Sequence, residues 1–334
     1  MRSFSYFEPK SVQDAVDMLS QHGGEATVMA GGTDLLSRFK NDIRTHLAKF
    51  VVDISGLELD YIKPGPDGGL RIGATTSLSE VAESSLVQDR APLLAMAAGD
   101  VASPALRNMG SVGGDLLQQV WCWYLRNDYD CWRNAGNICY GAIGDNRFYH
   151  SIFGGRLCYA VHASDLGPAL LALDGTVRIT GPMGENTLTV DKLLPGISIV
   201  DGHVKENAMH FNEILTEIQV PPPRPDCRQS WFKDRARKSW DFALASAAIR
   251  AVFQGSEVTD SRIVLGGVDV KPRRSVAAEQ ALNGNSLSDN TINRVGEASI
   301  EGAAPLTNGT GNEFRVEILK GVVRKALRAL LVRS

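Results

Sequence analysis

The 334-residue sequence lacks several things, and each absence removes a class of function. No apolar run approaches the roughly 20 residues that cross a bilayer as a helix. The formal net charge is only −3, which gives no general pull toward nucleic acid or an anionic membrane. Low-complexity tracts and clear tandem repeats are absent. The N-terminus, MRSFSYFEPKS, has no apolar signal-peptide core. The composition therefore fits a cytosolic protein, or one exported to the periplasm by a signal carried on a partner. Cysteine is scarce, with five residues, and no C-x-x-C pair occurs.

Four of those five cysteines nevertheless fall in one stretch, at Cys122, Cys131, Cys139 and Cys158, while Cys227 lies far downstream. Three readings compete for them. Buried free thiols pack as small hydrophobes, but that suits single cysteines better than four in one Gly/Asn/Asp-rich loop. Disulfides need an oxidising compartment. Metal or cluster ligation is the third reading. Structural zinc favours close-paired ligands, whereas the intervals here are eight, seven and eighteen residues. A long loop can wrap a larger object, which favours an iron–sulfur cluster. Spacing alone leaves cluster, zinc and free thiols open.

The chain exceeds one ordinary core, so two or three domains are expected. Residues 1–58 read as a small α/β unit. Ser11-Val-Gln-Asp14 resembles a capping box with Asp for Glu, and Val12, Ala15, Val16 and Leu19 follow at helical spacing. An apolar run from Ala26 through Val28 and Met29 to Ala30 leads into Gly31-Gly32-Thr33-Asp34, then Leu35 and Leu36. This reads as strand, glycine turn and helix start. Lys49–Ile54 reads as a second strand. Residues 59–225 read as a larger α+β unit, opened by a hairpin of Tyr61–Lys63 and Leu70–Gly73 about the turn PGPDGG. Ser77–Glu83 and Ala91–Val101 read as helices. A second glycine-rich loop runs from Pro104 to Asp115. The cysteine stretch is then inserted at 119–160, followed by a helix from Asp165 and strands at Thr176–Thr180 and Thr187–Val190. Pro221-Pro-Pro-Arg-Pro225 marks a boundary. Residues 226–334 read as strands Gln229–Lys233, Phe242–Val252 and Ile263–Val270, then helices around 277–282, 289–302 and 312–331. Phe314, Ile318, Val322, Leu327 and Leu331 form the apolar stripe of the last helix, with its basic residues on a solvated face.

Glycine pairs allow positive φ, so successive N–H groups can converge on one anion. The first pair is also what a plain tight turn looks like, and it matches neither G-x-G-x-x-G nor G-x-x-x-x-G-K-[ST]. Two such loops in different subdomains can clamp one extended phosphate-bearing ligand.

In this order, the glycine loops, the cysteine insertion and Ser164-Asp165 resemble the FAD-binding medium subunits of the molybdenum hydroxylases, the xanthine dehydrogenase / CO dehydrogenase family. The resemblance covers nearly the whole chain. The first flavin loop corresponds to Ala30-Gly-Gly-Thr-Asp34. The second, usually R-N-x-G-T-x-G-G-N, corresponds to Arg107, Asn108, Gly110, Ser111, Gly113, Gly114 and Asp115. The S-D before a helix is Ser164-Asp165, and a K-x-R tract resembles Lys233-Asp-Arg235, with Asp241 downstream. Ser111 keeps the hydroxyl of the usual Thr. Asp115 replaces an Asn, losing an amide donor and gaining a charge.

The resemblance implies an α+β fold: a two-part FAD-binding (PCMH-type) domain and a smaller C-terminal α+β domain with a three-stranded sheet and helices. It implies that loops 30–34 and 110–115 neutralise the FAD pyrophosphate. Asp165 is then a candidate acceptor for ribityl or ribose hydroxyls. Lys233 is a candidate cation near flavin or phosphate, or else a surface lysine on an edge strand. A subgroup, including a periplasmic aldehyde oxidoreductase and 4-hydroxybenzoyl-CoA reductase, carries an extra [4Fe–4S] cluster on four cysteines. The spacing of Cys122, Cys131, Cys139 and Cys158 is most similar to the aldehyde oxidoreductase; the reductase type lacks a match at Cys131. Cys227 has no matching role. The implied assembly is a heterotrimer or dimer of heterotrimers with a large molybdopterin-binding subunit, a small [2Fe–2S] subunit and an external electron carrier, and no nucleic acid. Electron flow in the reductive direction, or a non-catalytic metal-binding assembly module, stand as alternatives. A covalent-flavin oxidase is disfavoured because no His or Cys stands at the first loop.

Overall fold

A computed structural model describes residues 3–41, 43 and 48–331. Residues 1–2 and 332–334, at the outer ends of the first and third expected domains, and residues 42 and 44–47 lie outside that description. Among the described residues three main sheets follow one another in chain order, and a two-stranded hairpin of Ser198–Val200 and His203–Lys205 precedes the last strand of the second.

The first is a small parallel sheet of Ser5–Phe7, Phe50–Asp53 and Ala26–Met29, with Phe50–Asp53 in the middle. The helix Val12–His22 covers it, burying Ala15, Val16 and Leu19. Ser11 caps this helix by accepting from the Asp14 N–H, but the Asp14 carboxylate reaches the N–H of Lys10 rather than that of Ser11. The full reciprocal capping box is at Ser77 and Glu80, which start the helix Leu78–Glu83.

The second sheet is antiparallel, in the spatial order Ile62–Pro64, Leu70–Gly73, Ile214–Val220, Thr176–Gly181, Gly184–Thr189. Ile214–Val220, which sequence patterning did not single out, returns to its centre between Leu70–Gly73 and Thr176–Gly181. The expected loop 104–115 instead folds as two short helices, Pro104–Met109 and Val112–Leu117, with Gly110 and Ser111 between them. Ser103 and Ser111 cap them through their hydroxyls, which explains why a glycine-rich run can start a helix here.

The third sheet carries three long strands, Cys227–Asp234, Ala245–Gln254 and Glu257–Gly266, flanked by the short Arg273–Arg274 and Asn285–Ser286. The helix Phe314–Ala329 packs on it. Its buried stripe is Leu319, Val322, Val323, Ala326 and Leu327, whereas Phe314 and Leu331 are exposed. One basic residue contradicts the solvated-face expectation. Arg315 is fully buried and donates to the carbonyls of His150, Leu244 and Gly267. A guanidinium offers five donors, so three loop carbonyls can satisfy it.

Those carbonyls matter for the insertion. Ile152 packs into the core of the third sheet, its N–H donating to Val268. Asn312 donates to the carbonyls of His150 and Ser151. The cysteine stretch is therefore wedged between the second and third units rather than hanging free.

Candidate functional site

The first and second glycine segments meet. Gly32 has φ +70°, which favours glycine, and Gly31 lies hard against the backbone of Met109. Together they form one wall of a cavity of about 700 Å³. From the expected residues, Val28, Met29, Ala30, Gly31, Gly32, Thr33, Asp34 and Leu35 line it on one side, and Gly110, Ser111, Gly113, Gly114 and Asp115 on the other, with Asp165 at its base. The cavity is large enough for a dinucleotide-sized ligand.

Arg107, Asn108, Ser164 and Lys233 do not line it. Arg107 donates to the Val101 carbonyl at 2.8 Å, and Asn108 accepts from Ser79 at 2.5 Å. Lys233 is buried and 2.5 Å from the Asp165 carboxylate, with a second, longer bond to the Asp100 carbonyl. The surface-lysine reading is replaced by a buried ion pair with Asp165, which itself lines the cavity. The strand is at the sheet edge, but Pro92–Gly99 covers it: Gln229 accepts from the Leu93 N–H, and Trp231 donates to Asp100. Arg235 likewise pairs with Asp100 at 2.5 Å.

Asp115 accepts from Ser164, from the Leu166 N–H at 3.2 Å and from Gln118 at 2.9 Å. The charged residue that stands for Asn thus anchors the entry to the helix Leu166–Ala172. Burial, and then the Asp165 charge, push its pKa up to about 7. Burial also raises Asp165, opposed by Lys233.

The cavity has a part that sequence reasoning missed. Trp121, Trp123 and Tyr149 of the cysteine insertion line it, together with Trp240, Asp241 and Phe242 of the third unit. Trp121 stacks on Phe242 at 5.0 Å, and Tyr149 donates to Asp241 at 2.7 Å. The three tryptophans of the insertion are thus divided: Trp121 and Trp123 line the large cavity, and Trp132 lines the cysteine cavity. Aromatic density in 121–149 was the available signal, but nothing in the spacing says which cavity a ring faces.

Cys122, Cys131, Cys139 and Cys158 all line one second, tight cavity of about 10 Å³, with Tyr140 and Arg133. The Arg133 side chain donates to the Cys158 sulfur at 3.3 Å, and the Ala160 N–H donates to it at 3.4 Å. Burial pushes the Cys122 thiol up to about 12, with Cys158 adding to the shift, and burial raises Cys131 and Cys139. Among the described residues no three or more His, Cys, Asp or Glu form a metal-ion site. The donor set fits a sulfur-ligated cluster: four thiols converge, and N–H groups and a buried guanidinium point at sulfur, as a negatively charged cluster requires. Its closed volume does not hold such a cluster without the loop opening. Cys227 sits apart, half-buried at the start of Cys227–Asp234.

The family described as the FAD binding domain in molybdopterin dehydrogenase matches residues 2–223, and the CO dehydrogenase flavoprotein C-terminal domain matches 230–330. The chain is 33% identical over 289 residues to the aldehyde oxidoreductase FAD-binding subunit PaoB of Escherichia coli, covering 85% of this chain and 87% of that one. It is 27% identical to the carbon monoxide dehydrogenase medium chain of Hydrogenophaga pseudoflava, covering 99% and 98%. A solved structure of carbon monoxide dehydrogenase from that organism, lacking the Mo-pyranopterin moiety, superposes with a TM-score of 0.77 at 27% identity, over 99% of this chain and 98% of that chain.

Proposed function

Because the chain belongs to the FAD-binding family of the molybdopterin dehydrogenases, we propose that it is the electron-relaying flavin subunit of a multi-subunit molybdenum hydroxylase that also carries a [4Fe–4S] cluster. The observation that carries the flavin part is the 700 Å³ cavity formed where loops 30–34 and 110–115 meet. FAD, when bound, supplies a carrier that exchanges electrons singly or in pairs. The chain's own contribution is to hold the dinucleotide and to exclude water. The glycine backbone, free of Cβ on the cavity side, gives N–H groups close access to the pyrophosphate. Trp121, Trp123, Tyr149 and Phe242 give an apolar, aromatic end suited to a planar ring.

Cys122, Cys131, Cys139 and Cys158 would hold the cluster. The support is their convergence on one cavity and the donors aimed at Cys158. A single-ion zinc site is the poorer reading, since structural zinc favours close-paired ligands and the intervals between these cysteines are eight, seven and eighteen residues. On this reading the loop opens around its cofactor, so that binding and ordering are coupled.

Substrate chemistry is placed on a large molybdopterin-binding partner, with a small [2Fe–2S] partner between it and the flavin. The resemblance to PaoB favours aldehydes as the substrate class. No helix among the described residues is long and apolar enough to cross a membrane. The test is an ultraviolet–visible spectrum of the full chain purified away from its partners, because the small partner's [2Fe–2S] clusters absorb over the same range. Flavin bands with broad cluster absorption are expected; flavin without cluster absorption would remove the cluster, and neither would leave a non-catalytic module.

A further inference from the structure

The cysteine insertion also reaches into the large cavity through a cation. Arg126 closes the short helix Trp123–Arg126, which starts at Cys122, and its N–H bonds the Cys122 carbonyl at 2.9 Å. Its side chain is 5% exposed and lines the large cavity. One terminal nitrogen pairs with Asp34 at 2.7 Å and bonds the Gln119 carbonyl at 3.0 Å. The Nε of Arg126 has no hydrogen-bond partner. Asp34 itself is fully engaged: its other oxygen accepts from the Gln119 N–H at 3.1 Å, and Arg38 stands 3.8 Å away. Arg38 also lines the cavity and also has a buried Nε without a hydrogen-bond partner.

Two guanidinium groups against one carboxylate leave a net positive charge beside the glycine turn. Unpaired donors on buried cations are costly unless a ligand completes them. Gly31, Gly32 and Thr33 of the turn line the same cavity, so an anion is the ligand that suits both the buried cations and the turn's backbone N–H groups. We propose that Arg126, with Arg38, is the cationic half of the pyrophosphate site, so that the cysteine insertion supplies part of the dinucleotide-binding machinery. Arg126 is tied to the Cys122 carbonyl, so emptying or disordering the cysteine cavity displaces it and loosens the dinucleotide.

The inference rests on the reading of the large cavity as the flavin site. Its test is a titration of flavin-stripped full chain with FAD, with ADP, which keeps two phosphates, and with riboflavin, which has none. Arg126→Gln is expected to weaken FAD and ADP together by about 10- to 100-fold, the range of a charge-assisted hydrogen bond, and to leave riboflavin within about twofold. Unchanged FAD affinity, or a loss shared by riboflavin but not ADP, overturns it. Should Arg126→Gln fail to fold, the less buried Arg38→Gln carries the same test: a loss of about threefold or more for FAD and ADP, none for riboflavin. A wild-type chain that binds no FAD would overturn the flavin reading itself, a result distinct from either variant's.

Discussion

A Cβ added at Gly31 would stand 1.6 Å from the carbonyl oxygen of Met109. The two glycine segments, 78 residues apart between these positions (109 − 31), are thus joined backbone to backbone. No rotamer change relieves such an overlap; the walls of the cavity must part. Gly31→Ala is expected to cost about 3 kcal/mol or more and to abolish flavin retention. Gly24→Ala, where nothing lies within 4 Å and φ is not positive, is the control and should stay near wild type. Denaturant unfolding with flavin quantitation reads both. Full flavin in folded Gly31→Ala would contradict the joined-wall geometry.

Lys233 and Asp165 form a buried ion pair whose side chains are 1% and 7% exposed. Removing one partner strands a charge. Lys233→Met and Asp165→Leu are each expected to destabilise by about 3–5 kcal/mol, whereas the double variant recovers much of the loss. Additive losses in the double-mutant cycle would show that the pair does not act as a unit.

Asp115 gives a pH signature. Its folded pKa, about 7, stands above the ordinary 3.8, because of burial first and the Asp165 charge second. The folded chain therefore holds this proton more tightly than the unfolded one. The corresponding stability is whole below about pH 4 and is lost as the pH rises to about 7. Asp115→Asn cannot titrate. Its stability relative to wild type should rise by up to about 1.4 kcal/mol per pH unit across that window and then level off. Urea unfolding of both proteins from about pH 4 to pH 8 measures this; a constant difference would contradict it.

Much of the site was legible because local chemistry writes itself into adjacent residues. Gly31-Gly32 and Gly113-Gly114 announce backbone approach, and the four cysteines announce convergence. The four cysteines line one cavity, and among the described residues no metal-ion site is formed there. What was not legible joins distant residues without periodicity. Lys233 reads as an ordinary strand residue until Asp165 is seen beneath it. Arg315 reads as a solvated helix residue until three loop carbonyls are found around it. Trp121, Trp123 and Arg126 read as parts of the cysteine loop, yet they face the other cavity. The fold was recovered well at Thr176–Gly181, whereas the strand expected at Thr187–Val190 runs Gly184–Thr189 and Val190 starts a short helix. It was lost at Ile214–Val220, whose pairing depends on strands far away in the chain.

The placement of Arg126 changes what cysteine loss should do. The two glycine loops lie outside the insertion, which predicts that flavin survives without the cluster. The insertion's contribution to the large cavity predicts partial loss instead. Cys122→Ser should lower FAD affinity by about threefold or more, while Cys227→Ser leaves it unchanged. Equal FAD affinity in Cys122→Ser and wild type, measured by fluorescence titration, would contradict the coupling.

The central claim is that one chain holds a flavin and an iron–sulfur cluster side by side. It is tested most directly by measuring FAD, iron, zinc and acid-labile sulfide on anaerobically purified wild type and Cys131→Ser in parallel. The account predicts about one FAD with about four iron and four sulfide per wild-type chain, and loss of iron and sulfide in Cys131→Ser. Zinc in place of iron, or an undiminished cluster in Cys131→Ser, would contradict it.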